Sequence, residues 1–238
     1  MIYKVGLLGA SGRMGQEISS LMATGFSSGG SQLELGDAVS GSGKLKSLDG
    51  VPVRRLEDPV WQDVHVWIDF SRPAGTLRLL EQIEGPIVIG TTGFSPGERE
   101  KIFRFSERWP VLLAPNTSPG MNRMVKMLRA APLSERDDFD VVFEEEHHKH
   151  KKDAPSGTAK MLLAVLGEMG ARDVQVQVTR AGGIVGNHRV KLISPDEEIV
   201  FEHRVFQRSV FARGALLGAL FLLKEKRPGL RSMDEVFG

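Results

Sequence analysis

The stretch Ile2-Tyr-Lys-Val-Gly-Leu-Leu-Gly-Ala-Ser-Gly-Arg-Met-Gly15 decides the fold of this chain. Its first part, Ile2–Leu8, is a short apolar run that predicts a buried strand. Three glycines spaced by three residues follow, and a helical pattern begins at Arg13. Glycines between a strand and a helix let the backbone turn tightly and approach a pyrophosphate, whose charge the helix N-terminus favours. The stretch predicts a dinucleotide-binding turn, and the alternative is a turn with a purely structural role.

Strands and helices alternate through the rest of the first half. The apolar runs and helical patterns predict strands at 2–8, 33–39, 64–70, 86–90 and 111–114, and helices at 13–23, 75–83 and 96–108. In the last of these helices, Ile102, Phe103 and Phe105 form the predicted apolar face. Alternation with nearly continuous apolar strands is typical of a doubly wound parallel sheet. We therefore predict an α/β fold with an N-terminal Rossmann-like domain.

The pattern changes after residue 116. It predicts helices at 122–131 and 156–167 and strands at 139–143, 174–179, 189–193 and 199–206, with a turn at Ser194-Pro-Asp-Glu. This is the pattern of a smaller α+β domain with an open mixed sheet. A strongly apolar helix at 210–224 is expected to return to the first domain. The predicted organisation is a dinucleotide-binding domain at 1–116, completed by 209–238, and a substrate-binding domain at 117–208.

Composition excludes several classes of function. The chain of 238 residues has no cysteine, which excludes disulfides, thiolate catalysis and cysteine-based zinc sites. Its net charge of +1 gives no global bias toward nucleic acid or membranes. The N-terminus enters a strand at once instead of a signal peptide, and the longest apolar stretch, 215–223, is shorter than the roughly 20 residues of a membrane span. We expect a cytoplasmic protein.

The end of the second strand bears on the choice of cofactor. In NAD-binding domains of this kind, an acidic residue at the end of this strand accepts hydrogen bonds from the adenosine ribose. Asp37 lies inside the predicted strand, and Ser40 occupies the expected position. Without a carboxylate there is no repulsion toward a 2′-phosphate, and Lys44 or Lys46 is near enough in sequence to bind one. The sequence weakly favours NADPH over NADH.

Two loops follow later strands of the first domain. They are Gly90-Thr-Thr-Gly-Phe94 and Ala114-Pro-Asn-Thr-Ser-Pro-Gly120. Ligands of open α/β sheets bind at the carboxyl ends of strands, so both loops are candidates to line a nicotinamide. The alternative is ordinary turn chemistry.

The densest group of reactive side chains follows residue 143. The six residues His147-His-Lys-His-Lys-Lys152 comprise three histidines and three lysines, and Ser156-Gly-Thr158 then opens a helix. One interpretation is a solvated charged loop. A second is a metal site, which the lysines disfavour. The third is an anion site, since helix N–H groups and hydroxyls bind a carboxylate and histidine transfers protons near neutral pH.

The sequence resembles the 4-hydroxy-tetrahydrodipicolinate reductase (dihydrodipicolinate reductase) family of the bacterial diaminopimelate and lysine pathway. The most specific motif is His147-His-Lys-His-Lys-Lys-Asp-Ala-Pro-Ser-Gly-Thr158. Similar stretches run nearly end to end: Gly9-Ala-Ser-Gly-Arg-Met-Gly15, Asp69-Phe-Ser-Arg-Pro73, Gly90-Thr-Thr-Gly-Phe94, Ala114-Pro-Asn-Thr-Ser-Pro-Gly-Met-Asn122, Arg180-Ala-Gly-Gly-Ile-Val-Gly-Asn-His188 and His203 to Arg208.

The resemblance implies hydride transfer from NADH or NADPH to a small dicarboxylate, with neither nucleic acid nor membrane as a partner, and assembly as a homo-oligomer, a tetramer in the family. It implies His147 as the proton donor and Lys151 as its cationic partner. It implies His148, Gly157 and Thr158 as substrate-binding residues, to which the helix start adds Ser156; no metal is implied. The candidate cofactor-binding residues, from the glycine turn, the strand ends and the resemblance together, are Gly9, Ala10, Ser11, Gly12, Arg13, Met14, Gly15, Ser40, Gly90, Thr91, Thr92, Ala114, Asn116, Thr117 and Arg208.

Two departures from the family pattern bear on cofactor and assembly. Ser40 stands where the family has an acidic ribose ligand, and the stretch between Thr179 and His188 is short where relatives often carry a longer, subunit-embracing loop. Three alternatives to the reductase stay open at this point. They are a two-domain dehydrogenase acting on an amino acid, a non-catalytic nucleotide sensor, and a metal-dependent hydrolase using His147, His148 and His150.

Overall fold

A computed structural model describes residues 1–41, 43, 45–58, 63–134 and 138–238. The strands are β1 (Ile2–Leu8), β2 (Ser27–Ser28), β3 (Ser31–Val39), β4 (Ser47–Leu48), β5 (Val51–Arg54), β6 (Val66–Asp69), β7 (Ile87–Ile89), β8 (Pro110–Leu113), β9 (Asp140–His147), β10 (Gln175–Arg180), β11 (Gly186–Ile193), β12 (Glu198–Val205) and β13 (Gly229–Arg231). The helices are α1 (Arg13–Ala23), α2 (Pro73–Leu80), α3 (Pro96–Ser106), α4 (Pro119–Arg129), α5 (Gly157–Glu168), α6 (Ser209–Glu225) and α7 (Met233–Val236).

The chain forms two compact units. The first comprises Met1–Thr117 and Ser209–Gly238, and the second comprises Ser118–Arg208. In these ranges, apart from the undescribed positions, no helix has the length and apolar character needed to cross a membrane.

The first unit is built on a mainly parallel sheet. Its strand order is β13-β8-β7-β6-β1-β3-β5-β4, with β2 paired to β3. The pairs along the sheet are parallel except the β4–β5 hairpin, and β2 is antiparallel to β3. The chain passes from β1 to β3 on one side and later to β6 on the other, so the strand order reverses beside β1. Open α/β sheets bind ligands at the carboxyl ends of the strands at such a point.

Both faces of this sheet are covered by apolar side chains, because successive residues of each strand point to opposite faces and both sets are apolar. On one face, Val5 and Leu7 of β1 belong to a core that includes Leu216 of α6. On the opposite face, Leu8 belongs to a second core that includes Leu79 of α2 and Ile102 of α3. Burial on both faces explains the continuous apolar runs of the sequence, since strands covered by helices on both sides have no solvated face.

The second unit has a four-stranded mixed sheet in the order β10-β9-β11-β12. Strands β9 and β10 are parallel, and β11 is antiparallel to β9 and β12. One face of the sheet packs on helices α4 and α5 through residues such as Phe143, Val190 and Leu162. The two sheets and their helices confirm the predicted α/β class with a smaller mixed-sheet unit.

The structure corrects several element boundaries. The predicted strand 139–143 extends as β9 to His147, because the glutamates after Phe143 alternate between two faces and do not form a loop. Helix α4 begins three residues earlier than predicted, since Ser118 caps it by accepting from the N–H of Met121 at 3.3 Å. The two-residue strands β2 and β4, together with β5, β13 and α7, were not predicted.

The predicted apolar face of α3 is wrong in one position. Ile102 is buried, whereas Phe103 is 51% exposed. The helix also buries Ser106, four residues after Ile102. Adjacent residues of a helix point about 100° apart, so Phe103 cannot share the narrow face that Ile102 and Ser106 define.

Candidate functional site

The glycine turn after β1 is built as a backbone cradle. The N–H groups of Gly9 and Ala10 both donate to the carbonyl of Val39, at 2.9 and 3.0 Å. The N–H of Gly12 donates to the carbonyl of Gly9 at 2.8 Å, and Gly12 is the N-cap of α1 with no side-chain hydrogen bond. The turn therefore presents the helix N-terminus at the carboxyl end of β1, where backbone N–H groups bind anionic phosphate.

Two of these glycines are required by the geometry. Gly9 has φ +90°, and a Cβ there would lie 2.4 Å from the carbonyl oxygen of Phe70. A Cβ on Gly15 would lie 2.4 Å from the carbonyl oxygen of Gly9. Both contacts are with backbone, which cannot move aside without deforming β1, β6 or α1. Glycine at these two positions therefore lets the turn pack closely against the end of β6 and the start of α1, which is how the glycines of a dinucleotide-binding turn act.

The end of β3 carries a basic cavity. Ser40 is buried, and its hydroxyl lies 2.5 Å from that of Ser11 in the glycine turn. A cavity of about 230 Å³ beside Ser40 is lined by Lys46, Arg54 and Arg55, together with Asp58. Lys46 was a candidate phosphate ligand from sequence, whereas the two arginines were missed because they come from β5 and the residue after it. Lys44, the other candidate, lies outside the described residues.

Asp37 does not take the role of a ribose ligand in this geometry. It lies within β3, is buried, and accepts from the N–H of Ala38 at 2.8 Å. The guanidinium Nε of Arg54 lies 3.8 Å from its carboxylate. Burial raises the pKa of Asp37, against the hydrogen bond from Ala38 and the charge of Arg54, which lower it.

The loops after β6 and β7 are joined by hydrogen bonds. Asp69, at the end of β6, is fully buried and accepts from the N–H of Ser71 at 2.9 Å and from the hydroxyl of Thr76. The hydroxyl of Thr91 accepts from the same N–H of Ser71 at 2.8 Å. A Cβ on Gly90 would lie 2.3 Å from the ring of Phe70. These contacts fix the backbone of both loops at the carboxyl ends of the strands.

The remaining candidate cofactor residues of the first unit differ in their surroundings. Ala114, Asn116 and Thr117 are buried after β8, and Thr117 donates its hydroxyl to the carbonyl of Phe211 at 2.8 Å. Arg13 and Thr92 are exposed, and Met14 packs partly against the core. Arg208 is the last residue of the second unit and is half-buried.

In the second unit, His147 ends β9 on the face that packs on the helices. It is buried, and its ring lies edge-on to that of His188 with centroids 5.2 Å apart. A Cβ on Gly186, which begins β11, would lie 3.1 Å from Nε2 of His147. The absence of a side chain at Gly186 therefore gives the imidazole its room.

Burial and neighbouring charges control the proton affinity of His147. Desolvation by burial, with the positive charges of Lys151 and Arg180, lowers the pKa of His147 to about 4, against the opposing effect of Glu145 and Asp153. An imidazole with this pKa is neutral at pH 7. It gains a proton only when negative charge is added beside it.

Glu145 lies two residues before His147 on the same face of β9. Its carboxylate is fully buried and accepts from Arg180 at 2.7 Å and from the N–H of Ser156 at 3.2 Å. Burial raises the pKa of Glu145, but these two hydrogen bonds and the charge of Arg180 outweigh it, and the net shift is downward. Glu145 is therefore an anion inside the second unit.

His188 lies on β11 directly opposite Glu145. It is buried and stacks on Phe143 with ring centroids 6.3 Å apart. Burial and the neighbouring His147 lower the pKa of His188 to about 3. His188 is thus a neutral imidazole at physiological pH, and its packing on Phe143 fixes its plane.

Lys151 is held in an ion pair with Asp153. Its Nζ lies 2.8 Å from Oδ1 of Asp153, and its backbone N–H donates to the carbonyl of His148 at 3.0 Å. The Lys151 side chain is half-buried, whereas that of Asp153 is mostly exposed. The hydrogen bond and charge of Lys151 lower the pKa of Asp153, against a raising effect of burial. An incoming carboxylate can replace Asp153 as the partner of Lys151.

The N-terminus of α5 differs in detail from the predicted anion receptor. The hydroxyl of Ser156 accepts from the N–H of Ala159 at 3.0 Å as the helix N-cap, and the N–H of Ser156 donates to Glu145. Ser156 is thus used by the fold itself. Gly157 and Thr158 occupy the first helical positions of α5.

The three histidines of the metal alternative do not act together. His147 is buried, whereas His150 is exposed and lies near His148, with ring centroids 6.4 Å apart. A different trio, Glu145, His147 and His188, brings one possible ligand atom each within 4.8 Å of the others. The guanidinium of Arg180 on Glu145 disfavours a cation there. We interpret the cluster as a site for anions and proton transfer.

Sequence reasoning missed Glu145, Arg180 and His188 as members of this site. They come from three different strands, and only the sheet register brings them to one face. One signal was available for Glu145: Val141, Phe143, Glu145 and His147 follow the period of two that marks the inner face of a strand.

Comparison with known proteins identifies the family. Residues 3–117 match the family described as dihydrodipicolinate reductase, N-terminus, and residues 120–237 match dihydrodipicolinate reductase, C-terminus. A relative from Syntrophotalea carbinolica (strain DSM 2380 / NBRC 103641 / GraBd1) named 4-hydroxy-tetrahydrodipicolinate reductase is 36% identical, over 100% of this chain and 99% of its own length. A relative of the same name from Trichlorobacter lovleyi (strain ATCC BAA-1151 / DSM 17278 / SZ) is 35% identical with the same coverage.

The fold is shared with a solved structure of that name. Dipicolinate-bound dihydrodipicolinate reductase from Paenisporosarcina sp. TG-14 superposes with a TM-score of 0.72 at 22% identity, covering 99% of each chain. The alignment to the Syntrophotalea relative runs over 267 positions, so that relative carries residues that this shorter chain lacks. Two family domains matching nearly the whole length, with full-length relatives above 30% identity, establish that the chain belongs to the dihydrodipicolinate reductase family.

Proposed function

We propose that this chain uses NADPH in preference to NADH, with His147 and Lys151 as its catalytic residues. The reaction itself is that of the family: the chain is a reductase of the diaminopimelate and lysine pathway. It transfers hydride from a nicotinamide cofactor to the dihydrodipicolinate derived from 4-hydroxy-tetrahydrodipicolinate, and the product is tetrahydrodipicolinate. This activity is favoured over the amino-acid dehydrogenase, sensor and hydrolase alternatives.

The observation that carries the catalytic assignment is a buried, neutral imidazole near an ammonium group whose carboxylate partner a substrate can replace. His147 is buried with its pKa lowered to about 4, and Lys151 is paired with the exposed carboxylate of Asp153. A dianionic substrate supplies two negative charges that raise the pKa of His147 and compete with Asp153 for Lys151. Binding of the substrate therefore creates the acid that the reaction needs.

The proposed steps use the residues of the second unit. Gly157 and Thr158, at the N-terminus of α5, receive one substrate carboxylate, and His148 holds the other. When bound, the nicotinamide supplies the hydride. Lys151 stabilises the negative charge that develops on the substrate ring, an effect worth about 3 kcal/mol for a well-placed donor. His147 then protonates the ring carbon and becomes neutral again. Ser156 contributes as the cap that fixes the helix.

The fit of a dinucleotide to the first unit supports the cofactor assignment. The close backbone approaches at Gly9 and Gly15 build a tight turn in front of α1, and a helix N-terminus favours the negative charge of a pyrophosphate. Ser40 adds no negative charge where the ribose is expected. The cavity beside it has three cationic side chains, Lys46, Arg54 and Arg55, against one carboxylate, that of Asp58. Such a charge balance suits a 2′-phosphate better than a ribose hydroxyl.

Replacing Arg55 with alanine is expected to raise the KM for NADPH about tenfold and to leave the KM for NADH unchanged. A charge-assisted hydrogen bond to phosphate is worth about 1.5–3 kcal/mol, and exposure of the arginine reduces this toward the 1.4 kcal/mol of a tenfold change. Initial rates with each cofactor measure the effect. Arg104→Ala is the control, because Arg104 is an exposed arginine of α3 paired with Glu100. An equal loss with both cofactors would contradict a 2′-phosphate contact.

Two further predictions from the resemblance accompany this function. We expect a homo-oligomer, a tetramer as in the family, which sedimentation of the full chain can measure. We also expect the reaction to take place in the cytoplasm, where the pathway's other biosynthetic steps are expected to supply its substrate.

A further inference from the structure

We propose that Glu145 is a positioning residue for the reaction: its buried carboxylate lies beside His147 and supplies the negative charge that lets His147 take up a proton. The proposal rests on the function proposed above, in which His147 delivers the proton. Glu145 itself is assigned no contact with the substrate.

The carboxylate lies at the centre of the histidine cluster. Oε2 of Glu145 is 3.7 Å from Nδ1 of His147 and 3.9 Å from Nε2 of His188. All three side chains are buried and project from the same face of the sheet. Within the described part of the chain, Nδ1 of His147 and both ring nitrogens of His188 have no hydrogen-bond partner. The positive charge of a proton on either imidazole would therefore be stabilised by the nearby Glu145 carboxylate.

Burying the charge of Glu145 costs desolvation free energy, which its hydrogen-bond partners must offset. Removing a carboxylate from water costs several kcal/mol, and well-packed apolar residues often stabilise a fold as well as a buried ion pair does. Here the cost is offset by the Arg180 guanidinium at 2.7 Å and the N–H of Ser156 at 3.2 Å. The guanidinium binds Oε1, the N–H of Ser156 is shared between Oε1 at 3.2 Å and Oε2 at 3.3 Å, and Oε2 is the oxygen nearest the histidines. The carboxylate is thus held with one oxygen directed at the proposed acid.

The same carboxylate links the acid to the anion-receiving helix. Ser156 is the N-cap of α5, and its N–H donates to Glu145. Arg180 donates both to Glu145 and, at 2.6 Å, to the carbonyl of Asp153. The segment between β9 and α5, which carries Lys151, is therefore clamped near its end to the strand that carries His147. Fixed geometry between these groups is what a positioned proton transfer requires.

Charged and titratable groups face His147 from β9 itself, from the segment after it, and from β10 and β11. Lys151 and Asp153 lie on the segment after β9, Arg180 on β10 and His188 on β11. Asp153 is mostly exposed and already paired with Lys151. Glu145 is therefore the buried anion that opposes the positive charges of Lys151 and Arg180 at the imidazole.

The test is the pH dependence of kcat for Glu145→Gln. A general acid works only when protonated, so kcat falls as the pH rises through the pKa of the acid in the enzyme–substrate complex. Removing the negative charge of Glu145 lowers that pKa, and the basic limb of the profile is expected to move about one unit to lower pH. Glu146→Gln is the matched control, because Glu146 is the next residue of β9, points to the opposite face and binds Asn187 at 2.9 Å. Its limb is expected to coincide with that of the wild type.

A second variant is expected to shift the basic limb in the opposite direction. It also tests the proposal if Glu145→Gln does not fold. Arg180→Gln removes a positive charge that faces His147, so its basic limb is expected to move to higher pH. A limb for Glu145→Gln that superposes on the wild-type limb, or no upward movement for Arg180→Gln, would overturn the proposal. His147→Gln separates this from a failure of the proposed function: a basic limb that persists without His147 shows that the acid lies elsewhere.

Discussion

Replacing Lys151 with methionine is expected to lower kcat about 100- to 1,000-fold. Removing one preorganised group that stabilises developing charge costs roughly this much in other active sites. Methionine keeps most of the length and apolar stem of lysine, so packing of the half-buried side chain changes little. The loss is expected mainly in kcat, because the charge that Lys151 stabilises grows in the transition state.

Steady-state rates for Lys151→Met and Lys149→Met test this expectation. Lys149 lies in the same segment and carries the same charge, but its side chain is exposed. Its substitution therefore reports on the general positive field of the segment, and near-wild-type turnover is expected. Turnover by Lys151→Met within a few-fold of the wild type would remove Lys151 from the chemistry.

Replacing Gly9 with alanine is expected to weaken cofactor binding about 100-fold. The added Cβ would lie 2.4 Å from the carbonyl oxygen of Phe70, and the φ of +90° is unfavourable for any residue with a side chain. The turn must then shift, and a displacement of about 1 Å at a positioned site costs on the order of 100-fold. A positive φ in a non-glycine residue also costs about 1–2 kcal/mol, so the melting temperature should fall by a few degrees.

Fluorescence titration with NADPH, together with thermal unfolding, separates these two effects. Gly12→Ala is the graded comparison, since its Cβ would approach the Gly9 carbonyl at 3.1 Å, and an intermediate loss is expected. Gly97→Ala is the control, because nothing lies within 4 Å of a Cβ in that position of α3. An unchanged Kd for a folded Gly9→Ala protein would contradict the assignment of this turn to the cofactor.

The fold could be predicted from the sequence wherever the hydrophobic periodicity of a segment and the turn residues at its ends indicated the same element. Ile2–Leu8 and Arg13–Ala23 were predicted with the bounds that the structure has, because the glycine turn ends one element and starts the next. The predicted strand at 139–143 ended four residues too early, because the three consecutive glutamates that follow resemble a solvated loop. On the outer face Glu144 instead pairs with Arg189 at 2.7 Å, while Glu145 on the inner face binds Arg180. Partners on neighbouring strands cannot be read from local composition.

The candidate site was predictable only for residues close together in sequence. The segment from His147 to Thr158 was recognised because its charges, its histidines and a helix start are contiguous. Glu145, Arg180 and His188 escaped notice because β10 and β11 bring them together through strand pairing. The positive charge beside Ser40 was anticipated from Lys44 and Lys46, whereas Arg54 and Arg55 were missed because β5 was not predicted.

The most direct measurement is the oxidation of NADPH and of NADH at 340 nm by the wild-type chain. The substrate is generated in place from pyruvate and aspartate semialdehyde by the synthase that precedes this step. We predict oxidation that depends on the synthase, with NADPH used faster than NADH. Protein that binds both cofactors but oxidises neither when the synthase is present would contradict the assignment of this chain as a reductase.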